Sequence, residues 1–456
     1  MTDNNANDLL AGFGRTDITP PPDCLIDGFA ARDHCAEGIH DNLRATALAL
    51  SHNGKIVVIA GLDLLELTDR QVDTIREKMK HHYNIEPHQL LLNCSHTHAG
   101  PMVQTRFNRN FCEEGRDAIP DESYIAHMID NIVQAAGNAI DTLKPANISW
   151  GIGETSIGVN RRAPDVSLYK KAASGYQGFY ANYPNPDKKI DRTCPVFHVK
   201  EQSGKPMGIV YGAPCHPTTM SHDNYLVSAE YPGAAGRIIE DAFDGAPALF
   251  LQGIGGDVKP RQVALDTKFR SGTYEDVEAV GKELASDVLR IIEAGLQPLD
   301  NIQLRTSSKR IPLPIAPGAV KNTFLSYDQE NQQKHHRVWA KRWLDRIGRG
   351  EQIPESRPLA LSLMELSKEL RFAGIAGELL TDIGLLIKGH FPTGTTLPLG
   401  YTNGRIGYIP DSKVLREGGY EGTETVFFTE GMPAPWRDDI DETLLGAFDE
   451  LAKELG

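Results

Sequence analysis

Five short polar clusters, each where an apolar run stops, hold most of the residues able to do chemistry in this 456-residue chain. The first is Cys94-Ser95-His96-Thr97-His98-Ala99-Gly100-Pro101. In an extended segment residues i and i+2 share a face, so His96 and His98 are expected to project together beyond a strand. Neutral imidazole is a good zinc ligand and a His-x-His pair suits a metal site. A polar strand end is the plainer reading of the same residues. Cys94 shares the face and is expected as a buried, inert thiol, with ligation as the alternative. The second cluster, Pro214-Cys215-His216-Pro217-Thr218-Thr219, also ends a strand, and its histidine joins the first pair through that shared placement.

The third cluster is Gly253-Ile254-Gly255-Gly256-Asp257-Val258-Lys259-Pro260. Its glycines would let backbone amides line an anion or oxyanion site, or would simply make a tight turn. The spacing is neither that of a nucleotide-binding P-loop nor that of a dinucleotide motif. The fourth is Gly377-Glu378, between a strand and a helix, where a carboxylate also stabilises the helix N-terminus. The fifth is Gly400-Tyr401-Thr402-Asn403-Gly404-Arg405-Ile406-Gly407-Tyr408, a Gly/aromatic loop. No G-x-S-x-G elbow and no H-E-x-x-H helix occurs, which disfavours serine hydrolases of that fold and zincins.

The elements that must position these clusters alternate between strand and helix. Arg44–His52 and Lys55–Leu62 flank Asn53-Gly54, a hairpin signal. Thr68–His82 has helical spacing with Thr68 as N-cap. Strands are expected at 89–93, 148–153, 195–200, 207–213 and 248–252, with a long Tyr/Asn/Pro-rich loop before 195 whose part 169–186 would suit a polar pocket. Helices are expected at 121–143, 230–243 and 274–294. Further on, 301–312 reads as an edge strand and 328–350 as a charged helix with exposed His335 and His336. Strands at 359–366, 370–375 and 396–402 surround a helix at 379–389, and 440–455 closes the chain as a helix. The pattern predicts a layered α/β domain with a mixed β-sheet and flanking helices. No internal repeat and no linker is evident, so residues 1–8 read as a polar tail and 9–456 as one domain.

The net charge of −14 argues against nucleic acid or an anionic membrane surface as partner. Ile56–Leu62, stopped by Asp63, is far short of the ~18–20 apolar residues of a spanning helix. The N-terminus has neither the basic nor the apolar region of a secretory signal. Six cysteines without close pairing do not form a disulfide framework. A reduced, cytoplasmic protein acting on a small molecule is the expectation.

Taken in order, the clusters resemble the catalytic domain of the neutral (alkaline, non-lysosomal) ceramidase family. Ala11–Pro21 is similar to A-G-x-x-x-x-D-I-T-P-P, and Gly38-Ile39-His40-Asp41 to G-[IV]-H-D. His96–Pro101 is similar to H-T-H-S-G-P, and Val159-Asn160-Arg161 to I-N-R. Ser228–Gly233 resembles S-A-D-Y-P-G, and Gln252–Pro260 resembles Q-G-x-x-G-D-[VI]-x-P. The resemblance implies a zinc hydrolase in which metal-activated water attacks an amide or ester carbonyl. It implies Zn2+ held by His96, His216, Glu378 and Tyr408, with His98 and Arg161 near the reacting carbonyl. Tyr408, His98 and Arg161 would hold the oxyanion, and Asp257 or His98 would pass the proton to the leaving group. The chain departs from the family pattern at Lys259, where the family has serine, at Asn42 for proline and at Glu230 for aspartate. Nor is the family's secretion signal or C-terminal immunoglobulin-like sandwich evident. Lys259, with Asp257 as its nearest carboxylate in sequence, would bind a substrate anion, pointing to a soluble polar substrate rather than membrane ceramide. Two alternatives stand beside this: a zinc enzyme of sugar or lactone hydrolysis on the same scaffold, and a non-catalytic binding protein.

Overall fold

A computed structural model describes residues 9–106, 118–164 and 180–455; the expected polar tail 1–8 and residues 169–179 of the Tyr/Asn/Pro-rich stretch lie outside them. The elements stack in four layers: helices, a large sheet, a second sheet, helices. Strands in the middle are buried on both faces, which is why they read as unbroken apolar runs rather than alternating ones. In the hairpin Arg44–His52/Lys55–Leu62, Ala45, Ala47, Val58 and Ala60 face the helices, while Leu48 and Ile59 face the second sheet. Asn53 and Gly54 both take positive φ, 51° and 75°, as the two-residue turn requires.

The large sheet consists of two halves of the same plan. In the first, Leu10–Asp17 pairs antiparallel with Arg44–His52, which pairs antiparallel with Lys55–Leu62, which lies parallel to Leu90–Cys94. In the second, Lys144–Glu154, Thr193–Glu201 and Pro206–Ala213 repeat the antiparallel run, and Pro206–Ala213 lies parallel to Ala248–Gln252. Helix Asp69–Tyr83 crosses over in the first half and Glu230–Ala242 in the second, and each half ends in a 20-residue helix, Glu122–Asp141 and Tyr274–Glu293. The duplication is invisible in the sequence because only the burial pattern, not residue identity, is repeated. The halves join where Leu10 and Ala11 pair with Pro145 and Lys144. Their far strands meet through Asn93, whose amide donates to Gln252 O at 3.2 Å and whose Oδ1 accepts from Gln252 N at 2.7 Å.

The second sheet orders Ile302–Pro314, Ser356–Ser367, Leu370–Ile375 and Thr395–Leu399, the last pair parallel. Its inner face, with Met364, Leu366, Phe372 and Leu397, packs on Trp150, Phe197 and Leu249 of the large sheet. Its outer face carries helices Lys321–Tyr327, Lys334–Gly348, Thr381–His390 and Ile440–Glu454. Ile302–Pro314 is the edge strand its alternation predicts.

Three expectations need correction. The stretch before 193 is not all loop, since Gly158–Pro164 and Tyr180–Asn185 pair as strands. The helix expected over 328–350 begins only at Lys334. His335 and His336 are half-buried against Phe428 and Phe427, with ring centroids 4.8 and 4.1 Å apart, because the helix packs its aromatic face inward. No helix among the described residues is long and apolar enough to cross a membrane.

Strand Leu10–Asp17 touches helix Glu122–Asp141 through glycine: a Cβ at Gly14 would overlap the Ala135 carbonyl oxygen. Gly14→Ala should therefore cost about 1–3 kcal/mol, the price of overpacking a close contact. A urea midpoint indistinguishable from that of the parent protein would contradict this packing.

Candidate metal centre

His96 and His216 arrive from the two halves by a crossed arrangement. His96 follows the fourth strand of its half, and its Nδ1 lies 2.8 Å from Leu65 O, in the turn after the third strand. His216 follows the third strand of the other half, and its Nδ1 bonds Gly255 O, in the turn after the fourth. A carbonyl only accepts, so each Nδ1 carries a proton, and a neutral ring so held presents its Nε2 lone pair. Both Nε2 atoms lie 3.3 Å from one atom, Glu378 Oε2. His96, His216 and Glu378 are 2%, 0% and 3% exposed, out of reach of bulk solvent. Neither His216 Nε2 nor Glu378 Oε2 has a hydrogen-bond donor.

Strand alternation does not bring His96 and His98 together, as the sequence reading assumed. His96 sits past the strand with φ of 66°, the left-handed region, and the turn that follows carries His98 back. Their Nε2 atoms lie 3.1 Å apart. The ligand atoms of His96, His98 and His216 fall within 4.8 Å of one another, a group able to hold a metal ion. Burial pushes the His98 ring well below its usual pKa, with help from His96 and His216. Burial and the Arg161 charge push His216 down to about 3. Burial raises the Glu378 carboxyl, but His96 and Arg405 outweigh it and hold it well below the usual range. An uncharged His216 and an ionised Glu378 thus meet His96 in one buried spot, an arrangement that a cation among them would satisfy.

Glu378 and Tyr408 are neighbours because Glu378–Leu379 and Tyr408–Ile409 pair as a short parallel bridge. The Tyr408 ring stacks on His216 at 6.5 Å, and its Oη accepts from Arg161 Nη2 at 2.8 Å. Arg161 is fixed in turn by Glu421, with Nε 2.8 Å from Oε1. His96, His98, Glu378, Arg405, Tyr408 and Tyr420 line a cavity of about 180 Å3. A larger cavity, about 740 Å3, lies against helix Lys334–Gly348, but the converging histidines are not there.

Other expected site residues fall differently. The Asp257 carboxylate is fully buried and committed: Oδ1 accepts from Thr381 N at 2.8 Å and Oγ1 at 2.7 Å, and Oδ2 from Asn160 at 2.8 Å. It braces the glycine turn against the next helix and does not line the cavity. Nor is it the partner of Lys259, which forms no ion pair among the described residues and lies with Nζ 4.9 Å from the Phe269 ring centroid. Burial, then Arg161, lowers Lys259 to about 8. The glycine turn itself is a packing device. Gly253 N and Gly256 N donate to Ala213 O and Leu379 O, and a Cβ at Gly256 would press on Leu379. Cys94 is buried in the helix-side core, and burial raises its thiol pKa, the inert reading.

Sequence reasoning missed Arg405, Glu66, Arg106 and Asp27, which are ion-paired in series behind Glu378. Arg405 had a signal, since it stands inside the Gly/aromatic loop. Tyr401, in the same loop, stacks on His96 at 4.2 Å from a left-handed backbone. Glu66 and Asp27 had none.

Comparison with known proteins bears on the family and the fold. A family profile described as neutral/alkaline non-lysosomal ceramidase, N-terminal, matches residues 9–267. A neutral ceramidase of Oryza sativa subsp. japonica is 29% identical over 248 residues, covering 52% of this chain and 29% of that protein. Neutral ceramidase 1 of Arabidopsis thaliana is 27% identical over 276 residues, 57% of this chain and 32% of that one. The chain therefore matches only about a third of the length of these relatives. The crystal structure of neutral ceramidase from Pseudomonas aeruginosa superposes with a TM-score of 0.71 at 17% identity, covering 97% of this chain and 74% of that one, and so shares the fold. With more than half of its residues matched by the family profile, the chain belongs to the neutral/alkaline non-lysosomal ceramidase family.

Proposed function

We propose that the protein is a zinc-dependent amidohydrolase that cleaves an amide, or an ester, with metal-activated water, on a soluble polar substrate rather than membrane ceramide. The observation that carries the reading is the buried meeting of His96 Nε2, His216 Nε2 and Glu378 Oε2, the last two without a donor. Two imidazoles and a carboxylate suit zinc, with Tyr408 as a fourth ligand. Zinc bound there supplies a Lewis acid that polarises a carbonyl and makes water nucleophilic at neutral pH. The remaining work falls to side chains. The Tyr408 oxygen already accepts from Arg161, which leaves its hydroxyl hydrogen to steady the carbonyl oxygen as charge builds there. His98, half-buried at the cavity with an unpartnered Nδ1, carries the proton to the leaving amine. Asp257, hydrogen-bonded on both oxygens, is the brace of the glycine turn, and the proton transfer falls to His98.

Substrate choice turns on Lys259. A half-buried ammonium with no carboxylate partner among the described residues favours an anion supplied from outside. We place the protein in the cytoplasm, in keeping with the free thiols of the five described cysteines; recovery from the medium or a membrane fraction would contradict that.

Chelation should abolish hydrolysis and zinc should restore it, and His96→Ala should lose the metal itself. Full activity in a metal-free preparation would end the zinc reading. For the substrate, kcat/KM on short acidic N-acyl compounds should exceed that on micellar ceramide, and Lys259→Ser should lower it by about tenfold, the worth of one charge-assisted hydrogen bond. The ammonium is lost as pH rises through about 8, so KM for the acidic substrate should climb there. Efficient ceramide turnover that Lys259→Ser leaves unchanged would sink the preference.

A further inference from the structure

Behind Glu378 a series of buried ion pairs runs from the histidines to the far wall of the cavity. Arg405 Nη1 donates to Glu378 Oε1 at 2.7 Å, and its Nε donates to Glu66 Oε2. Glu66, with no exposed side-chain surface, gives its other oxygen to Arg106 and Gln104. Arg106 Nε reaches Asp27 Oδ2 at 2.9 Å. Asp27 Oδ1 accepts from Gly28 N at 2.8 Å, and Gly28 lies so close to His98 that a Cβ there would overlap the imidazole. The series thus begins at the carboxylate shared by His96 and His216 and ends at the backbone beneath His98.

Such a network is a poor way to stabilise a core. Buried ion pairs seldom outdo apolar packing of the same volume, but they fix geometry. The two Glu378 oxygens are also unequal. Oε1 is held by Arg405, while Oε2, which has no donor, is the atom 3.3 Å from both imidazoles.

We propose that Arg405 is a positioning residue for the metal centre. By occupying Oε1 it leaves Glu378 one oxygen to present between His96 and His216, and Glu66 sets the plane of the guanidinium that does so. This inference rests on the metal reading above. A planar guanidinium bridges two carboxylates in one fixed orientation, whereas a lysine ammonium is a point charge that holds neither plane.

The test is cobalt(II) titration of the full chain, read as affinity by chelator competition and as the visible absorption spectrum, with thermal unfolding as the fold control. The parent protein should bind one ion. Arg405→Met should bind it 10- to 100-fold more weakly, roughly the range for loss of a group that orients a ligand, and with an altered spectrum. Arg405→Lys should recover part of the affinity but not the parent spectrum. Glu66→Gln, nearly isosteric, should weaken binding by about tenfold with Arg405 still present, and it decides the matter if Arg405→Met does not fold. A parent protein that binds no cobalt overturns the metal reading and this inference together. A parent that binds, beside a folded Arg405→Met or Glu66→Gln protein with the same affinity and spectrum, overturns this inference alone.

Discussion

Everything at the centre follows from two carbonyl oxygens. Leu65 O and Gly255 O each hold the Nδ1 of one histidine, and that single constraint turns both Nε2 atoms toward Glu378. A histidine free to rotate or change tautomer would donate to the carboxylate and quench it. With both rings neutral and so oriented, a cation between them would reconcile the rings with the carboxylate. The carbonyls can do this because each lies in a turn beside the strand that carries the histidine, and the parallel pairing of those strands fixes the spacing of the turns.

The duplicated sheet supplies that spacing twice. Each half ends in a parallel strand pair, and in α/β sheets the carboxyl ends of parallel strands are where ligands gather. One half provides the histidine from its last strand and the orienting carbonyl from its third; the other exchanges the roles. Asn93 ties the two outer strands so that the rings face one another. The segments that follow two strands of the second sheet then contribute what the duplicated halves lack, a carboxylate and a phenol side by side on one short bridge.

Much of this was legible in the sequence. The Asn53-Gly54 hairpin, the Thr68 cap, and the placement of the histidines at strand ends follow from local chemistry and periodicity. His96 and His98 were paired correctly but for the wrong reason, because a left-handed backbone at histidine leaves no mark on composition. Asp257 and Lys259 stand two residues apart, yet their side chains find different partners, so nearness in sequence misjudged the pair. The series of ion pairs from Glu378 to Asp27 includes one, Arg405 to Glu66, across 339 positions, and no pattern within one strand or helix encodes it. The duplication escaped for a related reason: helices on one face and a sheet on the other ask only that a strand be apolar, and many sequences meet that demand.

Anomalous diffraction at the zinc edge, on crystals of the protein purified without chelator, tests the central claim most directly. The account predicts one peak at full occupancy, about 2.0–2.2 Å from His96 Nε2, His216 Nε2 and a Glu378 oxygen. An ordered site without a peak, with the Glu378 carboxylate bonded instead to protonated imidazoles, would contradict it.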